Sequence, residues 1–484
     1  MSSKDQRRPL PRSAPGQQGV SAAALLAFIE DADTGIRDLH SVMILRHGYV
    51  LAEGWWSPYG PRNPHMLFSL SKSFTSTAAG LLVAEGQLAL DAPVISFFKD
   101  DLPAKVNEHL AAMRVRDLLT MTSGHTQDTL GTIFARQDGN WARGFLEQPV
   151  ERKPGTHFVY NSGATYMVSA IVQKITGKKL LDYLQPRLFE PLGIEGATWE
   201  SCPRGINTGG WGLSIKTEDI ARFGQLYLQR GMWRGRRLLP ESWVSAATAR
   251  QVANGSAPES DWNQGYGYQF WRCRHGAYRG DGAFGQYCLV LPEQDMVVAI
   301  TAGVGDMQAV LNVVWKHLLT ATAPQPQPED KALQQTLRRR LSQLALRPLQ
   351  GQSASPRVAS LSGRIYRLEP NDQKMEQVTF EFGEARSVLK IRTATGEHRI
   401  VCGRPGTWIR GTTRLEGDTA RAVAASGAWT DENTYTAQLC FYETPFIQTM
   451  ACRFEQDRVR IDSRANVSFG PRERPQLVGQ AVHA

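Results

Sequence analysis

Phe68-Ser69-Leu70-Ser71-Lys72, running on through Ser73-Phe74-Thr75-Ser76-Thr77-Ala78-Ala79-Gly80-Leu81-Leu82, is the stretch on which the reading of this chain turns. Its apolar spacing predicts a helix from Ser69 to Glu85, with Gly86 placed to end it in a left-handed conformation. Ser69 and Lys72 are three residues apart, almost one helical turn, so they point the same way. A serine hydroxyl becomes a good nucleophile only when a nearby base takes its proton, and a lysine amine is such a base once desolvation lowers its pKa. The helix N-terminus adds unpaired N–H groups and a positive field around the nucleophile. The same spacing also suits a capping serine and a solvated lysine, so the rest of the chain has to decide.

Two further stretches weigh on that choice. Phe158-Val159-Tyr160-Asn161-Ser162-Gly163 follows the turn residues Lys153-Pro154-Gly155-Thr156 and opens a helix running from Gly163 to Ile175. A tyrosinate beside a lysine ammonium is stabilised by the opposite charge, so Tyr160 is a candidate to take the Ser69 proton and pass it to a leaving group. Gly280-Asp281-Gly282-Ala283-Phe284-Gly285-Gln286 lies just before a predicted strand. Its three glycines let backbone approach a ligand, and one of its N–H groups could pair with that of Ser69 to hold an oxyanion.

In this order, Ser-x-x-Lys, then Tyr-x-Ser, then a glycine-rich strand entrance, the chain resembles the serine hydrolase family that includes class C beta-lactamases, D-alanyl-D-alanine carboxypeptidases, related esterases and 6-aminohexanoate-dimer hydrolases. Asp117-Leu118-Leu119-Thr120-Met121-Thr122-Ser123-Gly124 and Gly209-Gly210-Trp211-Gly212-Leu213-Ser214 are similar to that family as well, and the resemblance covers residues 35 to 320. It implies that Ser69 is acylated, that Lys72 is the partner base, and that Tyr160 is the general base and acid. The oxyanion N–H groups would be those of Ser69 and Ala283, and neither a cofactor nor a metal is expected. Ser162, Trp211, Tyr266, Asp281, Gly282 and Phe284 are the candidate substrate-binding residues, with Trp271 a further aromatic near the cavity. Two departures bear on the substrate. Ser162 stands where the family often has asparagine, and Asp281 stands near the place where relatives keep a cation for a substrate carboxylate. Both argue for a small ester or amide rather than a beta-lactam or a peptidoglycan peptide. Beta-lactamase or carboxypeptidase activity, and an inactive scaffold of the same fold, are the alternatives.

Composition narrows the field. The chain has 484 residues, 42% of them hydrophobic, with formal net charge +9. Its densest basic run is only Arg338-Arg339-Arg340, and zinc-finger spacings are absent, so nucleic acid is not an expected partner. Cysteines at 202, 273, 288, 402, 440 and 452 form no Cys-x-x-Cys pair and are too sparse for a disulfide scaffold. No apolar run suits a secretion signal or a membrane span. The expectation is therefore a cytoplasmic enzyme acting on a small molecule away from membranes, with homo-oligomerisation open. A Ser-His-Asp hydrolase is the competing chemistry, since His65, His125 and His157 sit near the motifs; no Gly-x-Ser-x-Gly elbow supports it.

The fold class expected is α/β and beta-lactamase-like: an antiparallel sheet flanked by helices, with a helical subdomain, plus a C-terminal antiparallel β domain. Strands are read at 41–46, 49–52, 267–272, 286–291 and 296–301, and helices at 22–31, 115–121, 217–230 and 309–319. The expected boundaries are a disordered leader at 1–20, the hydrolase domain at 21–320, and a linker with a short helix at 321–356. A small β-rich domain at 357–475, a meander or open barrel, and a flexible tail at 476–484 complete the chain. On this reading a chain ending near Thr320 keeps a reactive serine, unless the second domain covers apolar surface or props a wall of the cleft.

Overall fold

The computed structural model describes residues 8–347, 349–415, 417 and 419–482. The apolar run of β1 (Leu39–Arg46) is buried along its whole length because both faces of its sheet are covered. Val42 and Ile44 point into one core, while Met43 and Leu45 point into the other. With β2 (Tyr49–Trp55), β3 (Trp271–Arg272), β4 (Tyr278–Gly282), β5 (Gln286–Leu291) and β6 (Met296–Ala302), β1 forms a six-stranded antiparallel sheet of order β2-β1-β6-β5-β4-β3. Strands from both ends of the first 320 residues thus meet at the β1–β6 pair, with Val42 opposite Ile300.

On one face lie α1 (Ala22–Gly35) and, late in the chain, a helix at Met307–Leu318. On the other lie α2 (Ser71–Ala84), α3 (Ser162–Thr176) and α4 (Thr217–Leu228), in the helical subdomain. Helix α4 presses close to the sheet at Gly224, where a Cβ would come within 2.6 Å of Val297. The late helix at 307–318 is α5, and α6 (Lys331–Ser342) follows it. Among the described residues no helix is long and apolar enough to cross a membrane.

Several boundaries need correction. Residues 8–20 are not a disordered leader: Ser13 donates to Val50 O at 3.0 Å, Val50 donates to Pro11 O at 2.8 Å, and Leu10 and Val20 are buried. Residues 1–7 lie outside the described residues. The segment 321–356 is no free linker either. Helix α6 packs on α1 and β2, and Leu337, Leu344 and Leu346 join the same core as α1 and α5.

The last part of the chain is a closed barrel rather than an open meander. Strands β7 (Ile365–Leu368), β8 (Met375–Phe382), β9 (Arg386–Thr393), β10 (Gly396–Gly403), β11 (Ile409–Thr413), β12 (Arg421–Trp429), β13 (Thr434–Cys440), β14 (Ile447–Glu455), β15 (Arg458–Ala465) and β16 (Glu473–Ala481) share one sheet. Parallel pairs Cys402–Ala425 and Gly403–Ser426 join β10 to β12 and close nine strands, leaving β11 as an extra edge on β12. The expected flexible tail, through Ala481, is β16. It pairs with β7 on one side and β15 on the other, and without it the barrel would open along two unpaired edges. Ala484 and His483 lie outside the described residues.

The barrel docks directly on the six-stranded sheet and its helices. Cys440 and Ile447 are buried in the core of α1 and α5, Met66 N–H donates to Glu443 O at 2.8 Å, and the Tyr59 hydroxyl donates to Thr444 O at 3.0 Å. Each donor would face unsatisfied burial or water if the barrel were absent. A chain ending at Thr320 is therefore expected to aggregate, read as loss of soluble monomer in size-exclusion chromatography with light scattering. A monomeric, cooperatively melting fragment would instead restore the separable-domain picture.

Candidate active site

Ser69 sits in a one-turn 3-10 helix, Phe68–Leu70, that leads directly into α2. The predicted helix thus begins two residues later than read, and Phe68 adopts φ 47° as the chain turns into it. Lys72 lies one turn on, with only 1% of its surface exposed. Its Nζ is 3.1 Å from Ser69 Oγ, 3.0 Å from Ser162 Oγ and 2.7 Å from the carbonyl of Gly210. Burial pulls the Lys72 amine down to about 7, against the opposing pull of the Asp128 and Asp281 carboxylates.

Tyr160 precedes α3. Asn161 caps that helix, its Oδ1 accepting from Gly163 N–H at 3.0 Å and Ala164 N–H at 3.3 Å. The fixed cap holds Tyr160 with its ring centroid 4.9 Å from Lys72 Nζ and its hydroxyl in hydrogen-bonding reach of Ser69. Burial, with Asp281 adding to it, raises the phenol well above its ordinary value; the Ser69 hydrogen bond only partly offsets this. At neutral pH the site therefore holds a phenol beside an amine that is partly uncharged.

The glycine-rich stretch is mostly a strand. Residues 278–282 form β4, and only Ala283 to Gly285 make the turn, with Phe284 at φ 67°. A Cβ on Gly282 would fall 1.9 Å from Leu67 O, so a side chain there would push β4 away from the backbone that presents Ser69. Ala283 comes next, and its N–H donates to no acceptor among the described residues.

The candidate substrate-binding residues fare differently. Ser162 touches the Lys72 amine rather than facing open space alone. Trp211 is half-buried beside Gly210, its ring near Phe134 and Trp141. Tyr266 is not a cavity wall: it is 1% exposed, packed against Phe158, Tyr160 and Trp271. Together with Trp271, which stacks on the Tyr160 ring at 5.3 Å, it forms the bed that holds Tyr160. Asp281 is buried and not a bare repelling charge. Arg279 Nε donates to its Oδ2 at 2.8 Å, and the guanidinium also donates to Asp261 O at 2.7 Å and lies over the Trp262 ring.

Sequence reasoning missed Asp128, whose Oδ1 accepts from Ser162 N–H at 3.1 Å and whose charge bears on Lys72 and Tyr160. No spacing ties position 128 to either residue. The histidine chemistry finds no support. His125 is buried, 3.0 Å from Ser123 Oγ, and burial lowers its pKa to about 4. His65 bonds His40 at 3.0 Å, and His157 is exposed.

A family profile described as Beta-lactamase matches residues 32–307, more than half of the chain. The chain is 25% identical to 6-aminohexanoate-dimer hydrolase of Paenarthrobacter ureafaciens over 306 residues, covering 59% of this chain and 78% of that protein. It is 28% identical to penicillin-binding protein 4 of Amycolatopsis lactamdurans over 352 residues, 64% of this chain and 88% of the relative. Among solved structures, the octameric penicillin-binding protein homologue of Pyrococcus abyssi superposes with a TM-score of 0.50 at 16% identity, over 95% of this chain and 100% of that one. That likeness is one of fold, and it extends over the barrel as well as the hydrolase region. Since the matched profile contains the Ser69, Tyr160 and Gly280–Gln286 stretches, all within residues 32–307, the chain belongs to the beta-lactamase family.

Proposed function

We propose that the protein hydrolyses a small ester or amide through an acyl-enzyme on Ser69. The observation that carries this reading is the Lys72 amine, almost wholly buried and 3.1 Å from Ser69 Oγ. A neutral amine has two N–H donors and one lone pair. Gly210 O can only accept, whereas the two serine hydroxyls can do either. The uncharged amine leaves its lone pair for one of the two serine hydroxyls, and donation by the Ser69 O–H is the arrangement that proton removal needs. The protonation states thus favour Lys72, rather than Tyr160, as the first acceptor.

In acylation, Ser69 Oγ bonds to the substrate carbonyl carbon as its proton moves to Lys72. The N–H groups of Ser69 and Ala283 hold the oxyanion. As the bond to the leaving group breaks, the Tyr160 phenol supplies its proton, and the Lys72 ammonium stabilises and then reprotonates the tyrosinate. Water then attacks the acyl carbonyl, giving one proton to Lys72; as the acyl–oxygen bond breaks, the Lys72 ammonium returns that proton to the released Ser69 oxygen and the acid leaves. Atoms and charges balance without a cofactor.

The substrate argument rests on Arg279, which is fully buried with Nε on Asp281 and Nη1 on Asp261 O and so is out of reach of an incoming carboxylate. Short-chain p-nitrophenyl esters are expected to show a kcat/KM at least 10²-fold above that for a chromogenic cephalosporin, about 2.7 kcal/mol in transition-state binding. Equal or faster turnover of the cephalosporin would move the reading to a beta-lactam or D-alanyl-peptide substrate.

A further inference from the structure

Four phenylalanines meet beside the nucleophile, and two of them come from the barrel. Phe68 directly precedes Ser69, and Phe284 directly follows Ala283. Their rings meet edge to face at 5.6 Å. Phe446 lies 6.2 Å from Phe68 and 5.8 Å from Phe284, and Phe469 lies 5.5 Å and 4.7 Å from the same two rings. Phe469 is 74% exposed, so packing inside the barrel does not account for it.

Its position is nevertheless held. Phe469 sits between β15 and β16, where Val467 is buried and Asn466 Nδ2 donates to Gly303 O at 3.1 Å and Pro445 O at 3.0 Å. Asn466 Oδ1 in turn accepts from Ile447 N–H at 2.8 Å. Beyond Gly303, Val304 N–H donates to Phe284 O at 3.0 Å. One short chain of hydrogen bonds therefore sets Phe284, Phe446 and Phe469 relative to one another. A Cβ on Gly303 would come within 2.4 Å of Pro445 O, which shows how closely the barrel seats here.

We infer that this aromatic wall receives the apolar acyl chain of the substrate, so that the barrel sets acyl selectivity at an active site built by the other domain. The inference rests on the proposed ester or amide hydrolysis. The leaving group takes its proton from Tyr160 and so departs on that side. None of the four rings is in ring contact with Tyr160, Trp271 or Trp211 among the described residues, which leaves the wall for the acyl side. An exposed ring standing against two others gains further burial only when an apolar group covers it.

The test has two arms. With the leaving group constant, kcat/KM for p-nitrophenyl octanoate should exceed that for the acetate by about 10-fold or more, the order expected for several methylenes entering an apolar site. Phe469→Asp and Phe446→Ala should each reduce that ratio by about 10-fold, and Phe469→Leu should restore most of it, with melting temperature and circular dichroism checking the fold. In the second arm, Ser69→Ala protein should bind octanamide at least 10-fold more tightly than acetamide in calorimetry, and Phe469→Asp in that background should remove the preference. A flat chain-length profile from a protein that turns over acetate overturns the inference and leaves the hydrolase reading intact. No turnover of any ester, with octanamide still bound in a Phe469-dependent way, overturns the hydrolase reading and keeps the wall. No chain-length preference in the binding arm rejects the wall whatever the catalytic result.

Discussion

Ser69→Ala is expected to lower hydrolysis of a p-nitrophenyl ester by about 10⁵-fold or more, the order of loss when the nucleophile of a serine hydrolase is removed. It should also abolish covalent labelling by a fluorophosphonate probe, with an unchanged circular dichroism spectrum. The change is small in volume, and Ser69 is partly exposed at the head of α2, so the fold has little reason to respond. The hydroxyl it removes lies 3.1 Å from the Lys72 amine and beside the Tyr160 phenol. Full labelling of the variant would place the nucleophile elsewhere. Of the alternatives, the inactive scaffold predicts no labelling of the wild-type protein at all.

The second large effect concerns the base. Lys72→Ala should lower kcat/KM by about 10³-fold and Tyr160→Phe by about 10²-fold or more, within the range for positioned acid–base groups. The double variant should lose much less than the product, because residues that act as a unit are not additive. The pH profile separates their roles. With the Lys72 amine at about 7 and required in its uncharged form, wild-type kcat/KM should fall as pH drops through 7 and level off above it. Tyr160→Phe should keep that limb at a lower amplitude, and Lys72→Ala should lose it. A profile flat from pH 5 to 9 in the wild-type protein would reject Lys72 as the proton acceptor. Fully additive losses would leave only one of the two residues in the mechanism.

Much of the site was readable from spacing. Ser69 and Lys72 share a helix face by virtue of three intervening steps, and Tyr160 and Ser162 flank a capping asparagine. Where the reading went astray, the reasons are specific. Residues 280–286 read as a glycine-rich entrance to a strand, yet residues 278–282 are themselves a strand, because β5 supplies a full set of backbone partners. Had that strand been recognised, Arg279 and Asp281, two residues apart, would have been placed on one face and their pairing anticipated. Tyr266 was taken for a cavity wall because aromatic residues serve both purposes, and only the rings around it distinguish a bed from a lining. The leader reads as loose because it is charged and then rich in proline and glycine, and the tail reads so only because it ends the chain. Each is ordered by a partner remote in the chain: Val50 for Ser13, and β7 and β15 for β16.

Periodicity in the chain reached the longer helices, several strands of the six-stranded sheet, the change to a β-rich second unit, and the placing of Ser69 and Lys72 side by side. These follow from periodicity and short spacing, which the covalent chain imposes locally, whereas Tyr160 joins Ser69 and Lys72 only through the family resemblance. Tertiary structure alone decided the closure of the barrel, the ion pair that neutralises Asp281, the depressed pKa of Lys72, and the entry of Phe446 and Phe469 beside a serine nearly four hundred residues earlier. Burial, charge pairing and ring contact are sums over groups brought together from distant parts of the chain, and no local pattern carries them.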